Sequence, residues 1–106
     1  MGRTVIVAYR PKAGKADALR KLVDTHVDRL REQGLATERK PIILQAADGT
    51  LLELFEWMSP EAIRQAHTNP EVLKMWGEFA EVCDYVPLSQ LPEAQGMFAE
   101  FSLLSE

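Results

Sequence analysis

Residues 51–61 decide the fold, and they read LLELFEWMSPE. Leu51 to Met58 is a mainly apolar run that predicts a β-strand. Ser59-Pro60-Glu61 follows at once and is typical of a helix start, with a capping residue, a proline at the first helical position and an acid near the positive end of the helix dipole. A strand therefore passes directly into a helix at this point of the chain.

A second strand is predicted immediately before this one. Asp48-Gly49, within the segment Ala47 to Thr50, favours a tight hairpin, because Asp-Gly pairs accept the positive φ angles that such turns need. We predict the preceding strand from Leu35 to Ala47, where Pro41 is tolerated only at an edge or a bulge. The middle of the chain is therefore predicted as a β-hairpin followed by a helix.

The first part of the chain predicts a strand and a helix. Thr4 to Tyr9 is a β-branched and apolar run without a polar, solvent-exposed face, which predicts a strand buried on both sides. This strand is predicted to end at Arg10-Pro11. Beyond it, Gly34 is placed to stop a helix as a left-handed cap. That helix is predicted from the helical spacing of its apolar positions, which are Ala16, Leu19, Leu22, Val23, Val27 and Leu30.

The last part of the chain predicts a second helix and a final strand. Asn69-Pro70 breaks the helix that begins near Ser59. Pro87 to Gly96 is predicted as a loop, and Met97 to Leu104 as the last strand. The resumed helix carries one apolar stripe, formed by Val72, Leu73, Trp76, Phe79, Ala80 and Cys83.

The predicted order is β-α-β-β-α-β, so we expect a single α+β domain over residues 1–106 with a ferredoxin-like antiparallel sheet. Two helices cover only one face of such a sheet, yet its strands are apolar on both. A second copy of the chain is the simplest cover for the other face, which predicts a homodimer. The last strand either joins its own sheet or crosses to the partner subunit.

Composition excludes several classes of function. The 106 residues include 12 basic and 16 acidic side chains, and the formal charge of −4 argues against a nucleic-acid partner. No apolar run approaches the roughly 20 residues of a membrane-spanning helix, so we expect a soluble, cytoplasmic protein with no membrane partner. Cys83 is the single cysteine, expected as a small buried side chain on a helix. No His or Cys spacing predicts a metal site.

Two stretches resemble the antibiotic biosynthesis monooxygenase family of dimeric α+β barrels. In residues 54–72 the resemblance lies in Trp57 closing a strand, the pair Glu61-Ala62, His67 on a helix, and Asn69-Pro70 shortly after it. Residues 7–15 resemble that family's first strand and the Pro-x-x-Gly-Lys sequence that follows it. The resemblance implies a monooxygenase that uses no metal, flavin or other cofactor. It also implies a small aromatic, quinol or similar hydrophobic substrate.

The haem-degrading branch of the same superfamily fits less well. That branch has a Trp about ten residues before a late helical His, and an Asn near the end of strand one. Here Gly77 lies ten residues after His67, and Tyr9 and Arg10 stand where the Asn would be. The sequence therefore disfavours haem degradation.

Three polar residues are candidates for catalysis. His67 can act as a base near neutral pH, or it can simply pack at a helix end. Tyr9 places a phenol at the end of an aliphatic strand and needs a partner or an opening. Glu53 shares a strand face with Leu51 and Phe55, so its carboxylate either requires a buried partner or lies in solvent at an edge.

Three aromatic residues are candidates for binding a flat substrate, namely Trp57, Trp76 and Phe79, with core packing as the alternative for each. His26 lies on the inward stripe of the first helix and is expected to be a core or interface histidine. Two functions follow. The chain is either a cofactor-independent monooxygenase or a non-catalytic homodimer that binds a small ligand or has a structural role.

Overall fold

The computed structural model describes residues 2–105. Five strands alternate with three α-helices, and two short 3₁₀ helices at Leu88–Gln90 and Pro92–Gln95 precede the last strand. The strands are β1 (Arg3–Pro11), β2 (Ile42–Gln45), β3 (Leu51–Trp57), β4 (Cys83–Val86) and β5 (Ser102–Ser105). The helices are α1 (Ala16–Glu32), α2 (Pro60–Ala66) and α3 (Pro70–Val82).

The strands form one antiparallel sheet in the order β4-β1-β3-β2-β5. Strands β1 to β4 with their helices follow the β-α-β-β-α-β order, so the predicted ferredoxin-like α+β fold is confirmed. In the central pair, Val7 lies opposite Glu53 and Tyr9 lies opposite Leu51. This register places Tyr9 and Glu53 on the same face of neighbouring strands.

The helices pack on the face that carries the odd-numbered residues of β1 and β3. Leu19, Leu30 and Phe79 are fully buried there, and Phe55 and Trp57 contribute from the sheet. Side chains alternate between the faces of a strand, so Glu53 is directed into this helix-covered core. The open question about its orientation is thereby resolved.

The glycine turns and the helix starts predicted from the sequence are confirmed. Gly34 ends α1 with a φ of 73°, and Gly49 turns the β2–β3 hairpin with a φ of 93°. The Ser59 side chain accepts a hydrogen bond from the Ala62 amide at the start of α2. Asn69 caps α3 by accepting bonds from two backbone amides. The break between α2 and α3 is therefore a second helix start.

Two predictions for the last part of the chain were wrong, one about Cys83 and one about the last strand. Cys83 begins strand β4 and is buried there, whereas the apolar stripe predicted it on the helix. Residues 97–101 form no strand, and the Met97 and Phe98 side chains are 94% and 79% exposed. The β-prone pair Tyr85-Val86 takes the place beside β1 that the fourth strand was expected to occupy. Strand β5 joins β2 of its own chain.

The second predicted strand is also much shorter than Leu35 to Ala47. Only Ile42–Gln45 is a strand, with an isolated bridge between Ala36 and Trp57. The Arg31 guanidinium donates to the carbonyl oxygens of Thr37 and Arg39, at 2.6 and 2.5 Å. Those carbonyl groups bind a side chain, so this segment curves along α1 before it enters the sheet.

The second sheet face is covered in part by the chain itself. Leu91 is fully buried against Ala8 and Leu52, with the two 3₁₀ helices lying over this half of the sheet. The other half stays open, because Ile6 is 47% exposed and Ile42 is 37% exposed. The expectation that β1 is buried on both sides therefore fails for a single chain.

Within residues 2–105, no helix is both long and apolar enough to cross a membrane.

Candidate functional site

Three polar side chains meet in the helix-covered core. Tyr9 comes from β1, Glu53 from the neighbouring β3, and His26 from α1, which packs across both strands. The Tyr9 hydroxyl donates to Glu53 Oε1 at 2.7 Å. His26 Nδ1 lies 2.6 Å from the same oxygen and 3.5 Å from the Tyr9 hydroxyl. Among the described residues this is a polar cluster enclosed by apolar side chains.

Glu53 is the centre of the cluster. Its side chain is 0% exposed, and a buried carboxylate is costly unless charged or strongly donating groups surround it. Oε1 has two such partners, whereas Oε2 has none within residues 2–105. The acid therefore depends on Tyr9 and His26 for its stability in the core.

Tyr9 is held as a neutral phenol. Burial, and then the negative charge of Glu53, raise the pKa of Tyr9 well above its ordinary value. Its ring stacks on Phe79, with the centroids 5.1 Å apart, and also contacts Tyr85. At neutral pH, Tyr9 is thus a hydrogen-bond donor to Glu53 and not a base.

A pocket of about 330 Å³ opens beside this cluster. That volume lies within the usual range of small-molecule sites, about 300–1,000 Å³. The pocket is lined mainly by apolar and aromatic side chains, namely Val5, Val7, Tyr9, His26, Phe55, Trp57, Trp76 and Tyr85. Strand β4 pairs with β1 only from Ala8 onward, so Val5 and Val7 lie at a stretch of β1 without a neighbour on that side. The pocket is located at this gap.

His26 connects the cluster to the pocket. Its Nδ1 is bound to Glu53, and its Nε2 makes no hydrogen bond to the described residues. Phe55 and Phe79 hold the ring edge-on, with centroids 5.2 Å away in each case. The imidazole is therefore fixed in orientation by a carboxylate on one side and two aromatic rings, while the residue itself lines the pocket.

The structure brings together most of the predicted site residues. Tyr9 and Glu53 are hydrogen bonded, and Trp57 and Trp76 line the pocket. Phe79 is fully buried behind Tyr9 and supports it without lining the pocket.

His67 is placed elsewhere. It is an exposed residue at the end of α2, and its ring packs against Trp76 at 5.2 Å between centroids. It lies outside the pocket lining and makes no hydrogen bond with Tyr9 or Glu53. This geometry agrees with the alternative of helix-end packing.

Two residues of the candidate site were missed by sequence reasoning. His26 was expected to fill the core, and it is indeed buried, but its partner is the equally buried Glu53. The helical stripe directed His26 inward, and a buried partner was one of the two alternatives for Glu53, so the pair could have been found by matching these two polar residues. Tyr85 was missed because its segment was not recognised as a strand; it lines the pocket mouth and is 51% exposed.

The arrangement can accept a proton from a bound molecule. A buried carboxylate that orients an imidazole at a pocket wall, with the second ring nitrogen free of hydrogen bonds to the described residues, is the usual construction of a general base. The pocket lining contains no lysine or arginine, so it favours neutral aromatic ligands over anions. Within residues 2–105, no group of three or more His, Cys, Asp or Glu side chains is arranged to hold a metal ion.

Comparison with known proteins supports the fold. No protein-family model matches the chain, and no curated protein matches its sequence. The solved structure of Rv0793 from Mycobacterium tuberculosis superimposes with a TM-score of 0.63 at 21% sequence identity, covering 81% of this chain and 89% of that chain. At this identity the likeness establishes a shared fold alone, and the family resemblance noted in the sequence stays a prediction.

Proposed function

We propose that this protein is a cofactor-independent monooxygenase that oxidises a small neutral aromatic substrate, such as an anthrone or a quinol, in the pocket beside His26. The observation that carries the proposal is the Glu53–His26 pair at 2.6 Å, set at the wall of an apolar pocket of about 330 Å³. The family resemblance supports the same chemistry from the sequence.

The reaction needs one base and molecular oxygen. For an anthrone, His26 Nε2 takes a proton from the ring CH₂ group, and the resulting carbanion adds O₂ to form a C–O bond. The distal oxygen then takes the proton back, which gives a hydroperoxide. Cleavage of the O–O bond with loss of the second C–H proton yields the ketone and water. One oxygen atom of O₂ enters the product and the other leaves as water, so the electrons balance without a further reductant.

Each part of the site has a role in this proposal. Glu53 stabilises the imidazolium that forms when His26 takes the proton. The aromatic walls, chiefly Trp57 and Trp76, hold the flat substrate and exclude water. Tyr85 at the mouth offers a hydroxyl to the substrate's oxygen substituents.

We also propose that two chains associate through the open half of the second sheet face. Ile6 and Ile42 are exposed there on either side of Leu54, and a depression of about 480 Å³ is lined by Ile42 and Leu54 together with Arg39 and Lys40. The same chain exposes Met97 and Phe98 almost completely. A two-fold dimer requires a surface and its complement on one chain, and these two apolar features supply both.

Oxygen consumption with a panel of anthrones and quinols tests the proposed reaction. We expect wild-type protein to consume O₂ with at least one substrate, and mass spectrometry after reaction under ¹⁸O₂ to find one labelled oxygen in the product. The fluorescence of Trp57 and Trp76, the two tryptophans of the chain, reports binding separately. Tryptophan quenching by these compounds without O₂ consumption would contradict the proposed enzymatic function and would indicate a non-catalytic binding protein.

A further inference from the structure

Two hydrogen bonds converge on one carboxylate oxygen. Glu53 Oε1 accepts the proton of the Tyr9 hydroxyl at 2.7 Å and contacts His26 Nδ1 at 2.6 Å. An ionised carboxylate is an acceptor only, so the short contact to Nδ1 then requires the proton to be on that nitrogen. The arrangement thus selects one of the two neutral forms of the imidazole.

We propose that Tyr9 is a positioning residue that acts through Glu53 to keep His26 neutral, with the proton on Nδ1 and with Nε2 facing the pocket as an unprotonated acceptor. The use of that acceptor as a base rests on the function proposed above. The proton arrangement itself does not depend on turnover.

Tyr9 contributes by sharing the carboxylate. The Tyr9 hydroxyl donates to Oε1, and its proton offsets part of the negative charge of the carboxylate. Less of that charge then favours a second proton on His26. The Tyr9 pKa is raised by burial and by Glu53, so this hydroxyl keeps its proton throughout the neutral range. Without it, the whole charge of Glu53 acts on the imidazole and favours the imidazolium, in which Nε2 carries a proton and no longer accepts one.

No other described group replaces Tyr9 in this network. Around the ring, β1 presents Tyr9, β3 presents Glu53 and Phe55, and α3 presents Phe79. Arg29, one turn along α1 from His26, is bound to Glu78 of α3 by two hydrogen bonds. On β4, Cys83 and Tyr85 act on Tyr9 and have raised pKa values of about 11 and about 12, so both are neutral at neutral pH.

The tautomer is measured directly by ¹⁵N NMR of the histidine rings, because protonated and unprotonated ring nitrogens have distinct shifts. At neutral pH, we expect the His26 Nδ1 to be protonated and Nε2 to be unprotonated in the wild type. Tyr9→Phe removes the hydroxyl and keeps the ring that stacks on Phe79. At neutral pH, we expect the spectrum of this variant to show a larger fraction of the doubly protonated His26 ring than that of the wild type.

Two controls are built into the protein. His67 is exposed and is the second of the two histidines, so its ring ¹⁵N signals in the same spectra should be unchanged by Tyr9→Phe. Tyr85→Phe removes another pocket hydroxyl that makes no hydrogen bond to Glu53, and it should leave the His26 ring ¹⁵N signals unchanged.

The proposal is overturned if wild-type His26 carries its neutral-form proton on Nε2, or if Tyr9→Phe leaves the doubly protonated fraction of the His26 ring unchanged. The wild-type measurement requires no variant to fold. An Nδ1–H tautomer with the expected response to Tyr9→Phe, in a protein that consumes no O₂, would leave the positioning role intact and remove the proposed reaction. The reverse pattern would keep the reaction and remove the role of Tyr9.

Discussion

His26 Nδ1 lies 2.6 Å from Glu53 Oε1, although the two residues are 27 positions apart and belong to a helix and a strand. Both side chains are almost completely buried, at 5% and 0% exposure. Each therefore supplies the polar partner that the other requires in an apolar core. The pair ties α1 to the centre of the sheet and leaves one imidazole nitrogen for the pocket.

Replacing Glu53 by Gln should impair both activity and stability. The amide keeps the size but removes the charge that stabilises an imidazolium, so we expect the oxidation rate to fall by about 100-fold or more. The free energy of unfolding should fall by about 1 to 3 kcal/mol, because the Tyr9 and His26 donors lose a charged acceptor. Initial rates and urea unfolding measure the two effects.

The matched control is Glu56→Gln on the same strand. Glu56 points to the other sheet face and pairs with the largely exposed Arg39. Such a pair contributes about 0 to 1 kcal/mol, so this variant should stay close to wild type. Equal losses in the two variants would show that the buried acid has no special role.

How far the sequence predicted this site depends on the kind of signal. Helical spacing correctly placed His26 on the inward stripe of its helix, whereas strand alternation left open the side to which Glu53 points. They did not pair Glu53 with His26, because the distance between a helix and a strand depends on how the helix packs. His67 was chosen as a candidate from the family resemblance and because histidine side chains ordinarily act as bases near neutral pH. In the structure it lies exposed at the end of α2.

The two tyrosines should resist ionisation in the folded protein. The pKa of Tyr9 is raised well above 10.0 by burial and by Glu53, and burial raises the pKa of Tyr85 from 10.0 to about 12. Since the folded state favours the protonated phenols, their contribution to stability is complete below about pH 10. The Tyr85 contribution is lost as the pH rises through about 12. The contribution of the fully buried Tyr9 is lost as the pH rises through that residue's own raised pKa, and this loss should be the larger one.

Ultraviolet absorbance of tyrosinate follows this titration in native and urea-unfolded protein. We expect little tyrosinate in the native protein at pH 11. In the unfolded chain, both tyrosines should ionise near their ordinary pKa of about 10. In Tyr85→Phe, which leaves Tyr9 as the single tyrosine, the signal should appear only together with loss of structure. An ordinary native titration of Tyr9 would contradict its burial against Glu53.

The open half of the second sheet face should mediate a dimer. Light scattering of the wild type should give twice the chain mass of 11.9 kDa at micromolar concentration. Ile6→Glu should give a monomer that keeps its circular dichroism spectrum, because Ile6 is exposed in the single chain and a carboxylate there would be buried by the partner.

Leu73→Glu is the control for the dimer. Leu73 has the same 47% exposure as Ile6 but lies on α3, on the opposite side of the sheet. This variant should remain a dimer. A wild-type protein that scatters as a monomer, or an Ile6→Glu variant that still dimerises, would refute association through this surface.

The C-terminal region shows where periodicity misleads. Met97, Ala99 and Phe101 are apolar at every second position, as in a strand. Met97 is nevertheless almost completely exposed, and residues 97–101 form no strand, since β5 begins at Ser102. The residues that do complete the ferredoxin-like sheet, 83–86, make a strand of four residues directly after a helix. A segment so short carries little periodic signal, and its pairing with β1 depends on contacts that only the folded chain provides.

The most direct test of the account compares His26→Gln with His67→Gln in O₂ consumption, using the substrate that the wild type oxidises fastest. Both variants remove one imidazole, but His26 lines the pocket with Glu53 behind it, whereas His67 is exposed at the end of α2. We predict that His26→Gln lowers the rate by about 100-fold or more. His67→Gln should stay within about twofold of the wild type. A larger loss in His67→Gln than in His26→Gln would contradict the assignment of His26 as the base.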